Sequence, residues 1–226
     1  MKRSPQALSD TGARGDSQPF VARARPLPRG FFARMPAEVA PELLGKLIRR
    51  DDGRLARVVE VEAYAQDDPA AHTFRGMTAR NRSMFGPPGH WYVYFSYGVH
   101  WCANLVCGPE GYGAGVLLRA AEPLEGIGLM RQARGREPLR ELCSGPGRLA
   151  QAFGIERALD GSDAIGSGVL TVLADGGPPP PVLACARVGI SKNAGAPLRF
   201  VVAGSPHLSR PVPQALSTPV PPVGEG

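Results

Sequence analysis

Two glutamates have the type and spacing expected of groups that do acid–base chemistry. Glu60 and Glu62 lie two positions apart in the segment VVEVEAY, where they alternate with apolar residues. In an extended strand this spacing puts both carboxylates on one face, roughly 6–7 Å apart. Partial burial raises the pKa of a carboxyl group and makes it a usable general base. A solvated pair on a surface strand would show the same pattern, so both interpretations stay open at this point.

Arg119 lies in a second apolar segment, GVLLRAAEP. An unpaired charge among apolar side chains is very costly, so this arginine requires a carboxylate or a ligand. The structural interpretation is an ion pair with Glu60 or Glu122. The functional interpretation is an arginine that orients groups beside a catalytic glutamate.

Aromatic residues indicate that flat ring systems could bind near these charges. Tyr64 shares the strand face of the two glutamates, His72 follows an acidic stretch, and Tyr94 lies in the strand-like segment HWYVYFSYG. A nucleic-acid base needs aromatic faces on which to stack, and these three side chains could supply them. Tyr97 is an odd number of positions from Tyr94, so it would face the other side of the strand. It directly precedes Gly98, which predicts a large aromatic side chain at a turn. Such a side chain could enter a duplex as a wedge.

A basic loop, TFRGMTARNRSMFGPPGH, separates the glutamates from the aromatic strand. Arginine, threonine and asparagine side chains interleaved in a loop can contact phosphates, although a solvated basic loop would have the same composition. The candidate DNA contacts in this loop are Arg75, Thr78, Arg80 and Arg82.

Both helices and strands must position these residues. Helical spacing is present in residues 35–50, 124–134 and 145–159. Strand patterns are found in residues 54–65, 90–98, 113–123, 168–174, 183–190 and 198–204. Because strands cluster early and late with helices between them, we predict an α+β fold, with one compact domain and a mainly antiparallel sheet flanked by helices.

Composition predicts one domain with two tails. The chain has 226 residues, enough for a single sizeable core. Its formal net charge is +6, and residues 1–34 carry seven basic and two acidic side chains. We expect residues 1–29 to form a flexible basic arm suited to a polyanion such as nucleic acid, or simply a solvated tail. Residues 210–226 are proline-rich and are expected to form a flexible tail.

Several protein classes are disfavoured by the sequence. No apolar run approaches the roughly 18 residues of a membrane span, and no secretory signal pattern is present. The four cysteines lack the CxxC pairs typical of zinc sites and are expected to be small buried hydrophobes. We therefore expect an intracellular protein in a reducing compartment.

Eight segments together resemble one known family. They occur, in order, as VVEVEAY, AAHT, ARNRSMF, YVYFSYGVHWCAN, GVLLRAAEP, LCSGPGRLAQAFGI, ACARVGI and PLRFVVAGSPH. This order is similar to that of the alkyladenine DNA glycosylase family, the DNA-3-methyladenine glycosylases of the mammalian and plant type with many bacterial members. The resemblance spans residues 30–209, which we take as the glycosylase domain.

The resemblance implies a role for each candidate residue. Glu62 would activate a water, which Arg119 and the backbone carbonyl of Val188 would position, and Tyr97 would intercalate. Asn104 would exclude the exocyclic amino group of guanine. The flipped base would be held by Tyr64, His72 and Tyr94. The resemblance also implies a compact fold with a curved antiparallel sheet, and neither a metal nor an organic cofactor.

The expected activity is base excision repair of duplex DNA that contains alkylated or deaminated purines, by a DNA-3-methyladenine glycosylase II-type enzyme acting as a monomer. Only three lysines exist, and none is placed in a site motif as a Schiff-base nucleophile, which predicts a monofunctional glycosylase. One alternative is a carbohydrate glycosidase that uses Glu60 and Glu62 as its acid–base pair. Another is a non-catalytic protein that binds distorted DNA through Tyr97 and the basic loop.

Overall fold

The computed structural model describes residues 24–135, 137–166, 168–212 and 217–221. Within these ranges ten strands pair in an antiparallel sheet, with four α-helices around it. The helices are α1 (Arg29–Phe32), α2 (Pro36–Leu43), α3 (Ile127–Arg134) and α4 (Pro146–Phe153). The strands are β1 (Arg25–Pro26), β2 (Leu47–Arg50), β3 (Leu55–Tyr64), β4 (Trp91–Ser96), β5 (His100–Val106), β6 (Gly115–Glu125), β7 (Leu170–Ala174), β8 (Val182–Cys185), β9 (Arg199–Val202) and β10 (Thr218–Val220). This arrangement confirms the predicted α+β class.

Strand β3 is the centre of the sheet and carries both glutamates. It pairs with β6 along one edge, while its other edge pairs first with β2 and then, at Glu60–Glu62, with β9. The register between β3 and β6 shifts between Val58 and Val61. Irregularities of this kind bend a strand and increase its twist. The glutamates therefore lie in the part of strand β3 where its pairing partner changes from β2 to β9.

The hydrophobic core under the sheet is formed by apolar side chains that alternate along the strands and by two amphipathic helices. Helix α2 buries Val39 and Leu43, and helix α4 buries Leu149 and Phe153, in one cluster with the sheet. Trp91 at the start of β4 is fully buried and donates its indole N–H to the Leu170 carbonyl oxygen at 2.9 Å. A tightly packed interior of this kind holds the strands, and hence the side chains at their ends, in fixed positions.

The predicted helix over residues 35–50 is wrong in its second half. The helix ends at Leu43, and Gly45 has φ +84°, a left-handed conformation that interrupts the helix. Leu47–Arg50 then forms a strand between β3 and β7, where Leu47 and Ile48 are fully buried. Sheet pairing on both sides outweighs the helical spacing of these residues.

Two further differences from the predicted elements concern strands. The strand predicted over residues 183–190 ends at Cys185, so Val188 lies in a loop. Strand β5 was not identified, although it forms a hairpin with β4.

The terminal segments contribute two short strands. Within the predicted basic arm, β1 pairs with β7, and within the predicted proline-rich tail, β10 pairs with β8. Residues 1–23, 213–216 and 222–226 lie outside the described residues. All four cysteines are buried and free, as expected. Among the described helices, none has the length and apolar character needed to cross a membrane.

Candidate active site

A cavity of about 520 Å³ opens beside β3, β4, β5 and β6. Its volume lies within the range of about 300–1,000 Å³ that is typical of small-molecule pockets. Every residue predicted to act in catalysis or base binding lines it, namely Glu62, Tyr64, His72, Tyr94, Asn104, Arg119 and Val188. The structure therefore brings together residues that are up to 126 positions apart in the chain.

Glu62 is fully buried and accepts three hydrogen bonds. Its Oε1 accepts from the backbone N–H of Val188 at 2.7 Å, and its Oε2 accepts from the Tyr64 hydroxyl at 2.8 Å and from Arg119 Nη1 at 3.3 Å. An ionised carboxylate offers about four acceptor positions, so about one remains for a water. The contact from Val188 uses its amide, a role that the sequence analysis did not anticipate, beside the predicted role of its carbonyl.

Arg119 joins the two glutamates. Besides Glu62, it contacts Glu60 through Nε at 2.9 Å, and its Nη2 donates to the Ser209 hydroxyl at 3.2 Å. The predicted ion pair with Glu60 is thus confirmed, and Glu122 is not among the partners that the described structure gives this arginine. Arg119 therefore has a structural partner on one side and the candidate base on the other.

Glu60 is a charge partner rather than a second acid. Burial alone would raise its pKa, but the charges of Arg119 and Arg199 and hydrogen bonds from Ser209 lower its pKa below the ordinary value. A glycosidase acid must keep its proton near neutral pH, which requires a raised pKa. The environment of Glu60 lowers its pKa instead, so Glu60 is unsuited to the acid role in the glycosidase alternative.

One wall of the cavity is aromatic. The rings of Tyr92 and Tyr94 are stacked with centroids 5.3 Å apart, and the His72 ring meets Tyr94 edge-on at 4.5 Å. His72 Nδ1 also lies 3.2 Å from the Tyr92 hydroxyl. Desolvation and the nearby charge of Arg80 lower the pKa of His72, which keeps its ring neutral at physiological pH. Tyr92 was missed as a site residue, although its spacing of two from Tyr94 was the available signal.

Tyr64 belongs to the site in two ways. Its hydroxyl donates to Glu62, and burial, followed by the charge of Glu62, raises its pKa so that it stays protonated. The guanidinium of Arg187 lies 4.5 Å from its ring centroid, and Arg187 is buried and ion-paired with Asp68. Sequence reasoning missed Arg187 and Asp68, whose pairing fixes the loop that carries Val188.

Asn104 is buried on β5 and faces the cavity. Its Nδ2 donates to the Tyr92 carbonyl oxygen at 3.3 Å, and β5 holds it between β4 and β6. Its side chain is thus fixed in place and limits the space available to a bound ring system.

Tyr97 is at the tip of the β4–β5 hairpin, as predicted. Its φ is +48° and that of Gly98 is +67°, and the Val99 amide closes the turn on the Ser96 carbonyl oxygen at 2.9 Å. Two positive φ angles at the centre of a hairpin turn define the type I′ turn, which favours Asn-Gly over a bulky residue. Tyr97 is nevertheless 87% exposed. Strained residues of this kind cluster at functional sites.

The basic loop lies at the same rim. Arg80 lines the cavity and donates to the Phe95 carbonyl oxygen at 2.9 Å, which ties the loop to the hairpin. Asn81, which is buried, accepts from the backbone and hydroxyl of Thr78 and donates to the His72 and Gly76 carbonyls. The loop is therefore ordered by its own side chains. The remaining predicted DNA contacts are exposed outside the cavity, at Arg75, Thr78 and Arg82.

Comparisons with known proteins show the family of this chain. The family model for methylpurine-DNA glycosylase (MPG) matches residues 30–206. A protein of Burkholderia lata, named "Putative 3-methyladenine DNA glycosylase", is 53% identical over 203 residues, which cover 88% of this chain and 98% of the relative. Proteins of the same name from Burkholderia cenocepacia and Nitrosospira multiformis are 54% and 50% identical, covering 83% and 81% of this chain and 93% of each relative. This chain belongs to the methylpurine-DNA glycosylase family.

Proposed function

We propose that this protein removes alkylated or deaminated purines from duplex DNA by hydrolysing their N-glycosidic bond, leaving an abasic site for base excision repair. The observation that carries the proposal is the position of Glu62, which is buried in the cavity with about one acceptor position left for a water beside Arg119. Family membership supports DNA as the substrate.

The first step is extrusion of the damaged nucleotide, because its anomeric carbon cannot be reached inside the duplex. Tyr97 fills the gap that the nucleotide leaves, and exposed arginines at the rim contact phosphates. The extruded base then occupies the cavity between Tyr64 and the wall of His72 and Tyr94. An alkylated purine is cationic, and electron-rich aromatic faces attract cations. Asn104 limits the cavity against the exocyclic amino group of guanine.

The second step is hydrolysis. The oxygen of the water bonds to the anomeric carbon while Glu62 accepts a proton from that water, and the carbon–nitrogen bond to the purine breaks. Arg119 and the Val188 carbonyl position that water. The bonding electrons leave with the purine. The existing positive charge of an alkylated purine makes it a good leaving group, whereas a neutral deaminated purine must take up a proton as it leaves.

We further propose that the enzyme is monofunctional and acts as a monomer. A Schiff-base mechanism needs a lysine at the anomeric carbon, and the residues that line the cavity in the described chain include none. The cavity is formed by residues of one chain, so a second subunit is not needed to complete it.

The test is release of methylated purine from alkylated duplex DNA by Glu62→Gln under single-turnover conditions. We expect the rate to fall by at least the ~10²–10⁴-fold attributed to a positioned general base, with binding of damaged DNA retained. Glu42→Gln is the matched control, because Glu42 also forms an arginine pair, at 2.7 Å with Arg34, but does not line the cavity. Unchanged purine release by Glu62→Gln would contradict the proposal. A wild-type protein that binds damaged DNA but releases no purine would also contradict it.

A further inference from the structure

A buried assembly of charges lies directly behind the candidate base. Glu60 Oε1 accepts from Arg119 Nε at 2.9 Å and from Arg199 Nε at 2.8 Å. Arg119 reaches from Glu60 to Glu62, as described above. All four side chains are at least nine-tenths buried, and their formal charges sum to zero. A change of charge at any one of them is therefore felt by the other three with little solvent screening.

Glu60 is held more firmly than a simple ion pair requires. The backbone N–H of Ser209 donates to its Oε2 and the Ser209 hydroxyl to its Oε1, both at 2.6 Å. Arg199 in turn donates to the Arg210 carbonyl oxygen at 2.7 Å. The segment that follows β9 thus closes over the charges and fixes the side of Arg119 that faces away from Glu62.

We propose that Glu60 and Arg199 are positioning residues which set the strength of Glu62 as a base, acting through the shared guanidinium of Arg119. The inference rests on the role proposed for Glu62. Glu60 draws part of the Arg119 charge away from Glu62, so Glu62 keeps its affinity for the proton of a water. Arg199 limits that effect by neutralising Glu60.

Other ionisable groups also lie near Glu62, outside the assembly of Glu60, Glu62, Arg119 and Arg199. Tyr64 on the same strand donates a hydrogen bond to it, and Arg187 lies over the Tyr64 ring. The thiols of Cys102 on β5 and Cys185 on β8 are also close enough to interact with its charge. Burial raises the pKa of both thiols, so they stay neutral near pH 7. The proposed substitutions leave all of these groups in place.

The two single variants should have effects of opposite sign. Glu60→Gln removes a negative charge, so the titration midpoint of Glu62 should move to lower pH. At roughly 6.5 Å and an effective dielectric constant of about 20, the expected shift is about one to two pH units. Arg199→Gln removes a positive charge, so the midpoint should move to higher pH by a similar amount. The double variant restores neutrality, and the two shifts should largely cancel.

The experiment is a pH titration of the glutamate carboxyl carbons by ¹³C NMR in the full-length, DNA-free protein. The Glu62 signal is identified by its absence in Glu62→Gln. Arg57→Gln is the control, because Arg57 also lies on β3 in an ion pair, with Asp175 at 2.7 Å, but is five residues from Glu62, about 16 Å along the strand. It should lose stability without moving the Glu62 midpoint.

Opposite shifts in the two single variants support the proposal. If only one single variant folds, the direction of its shift alone tests the proposal. Unmoved midpoints, or shifts in the same direction, would overturn it, since a merely structural role lowers stability without changing the titration of Glu62. The acid limb of the single-turnover rate should follow the NMR midpoints. Because the NMR measurement needs no activity, an absence of purine release would contradict the proposed function and leave this test intact.

Discussion

Replacing Tyr97 by glycine should stabilise the DNA-free protein and weaken its action on duplex DNA. Tyr97 has φ +48° and is 87% exposed, so its side chain contributes little to the folded core. The left-handed conformation costs an L-residue about 1–2 kcal/mol, whereas the extra freedom of glycine in the unfolded chain costs about 0.5–1 kcal/mol. The difference between the centres of these two ranges favours the glycine variant by roughly 0.7 kcal/mol.

The loss of activity follows from the contact that the ring would make with DNA. Stacking of an aromatic side chain on a base contributes about 1–3 kcal/mol, which corresponds to a decrease of about 5- to 150-fold in the extruded population. Tyr97→Ala is the matched control, because alanine lacks the ring but keeps the cost of the left-handed backbone. It should lose the same activity without the gain in stability.

Two assays check this prediction. The midpoint of thermal unfolding should rise by about 1–4 °C in Tyr97→Gly and stay near the wild-type value in Tyr97→Ala. Single-turnover release should fall most for a lesion in a fully paired duplex and least for a lesion that is already unstacked or mispaired. An equal loss on both substrates would refute the wedge role, and a fall in the unfolding midpoint of Tyr97→Gly would refute the inference that the turn is strained.

Two further predictions concern specificity and pH. Asn104→Ser should increase release of guanine from duplex DNA, because it removes bulk from the cavity at the loss of one 3.3 Å hydrogen bond; no increase in released guanine would argue against an excluding role. The lowered pKa of Glu60 contributes stability that is present above the ordinary glutamate value of about 4.3 and is lost as the pH falls through the folded-state pKa. Thermal unfolding between pH 7 and pH 3 should therefore show a flatter acid dependence in Glu60→Gln than in the wild-type protein.

Local patterns were sufficient for the parts of the fold in which neighbours in sequence share one environment. Alternation in VVEVEAY predicted β3 and placed Glu60, Glu62 and Tyr64 together, because strand geometry relates every second residue. The apolar context of Arg119 predicted an ion pair with Glu60 or Glu122, and the structure pairs it with Glu60. The resemblance to a known family supplied Asn104 and the Val188 carbonyl, which local spacing could not assign to a site.

Long-range partners could not be predicted in this way. Arg199 and Ser209 contact Glu60 from 139 and 149 residues away, and nothing in their own segments marks them as its partners. The helical spacing of residues 35–50 failed for a related reason, since burial between two strands decided the conformation of Leu47 and Ile48. Contacts made only in the folded chain determine such residues, and propensity is a weak guide to them.

The site combines two features that are costly in isolation. The hairpin tip keeps a large aromatic residue in a conformation suited to glycine, and strand β3 buries two carboxylates, Glu60 and Glu62. Each cost is offset locally: two hydrogen-bonded strands hold the tip, and two arginines neutralise the carboxylates. Single substitutions that break a buried charge balance are strongly destabilising, whereas loss of an exposed side chain is not. Selection for stability alone would therefore retain the charge balance but replace Tyr97, so the tyrosine at the tip is the stronger evidence for a function on DNA.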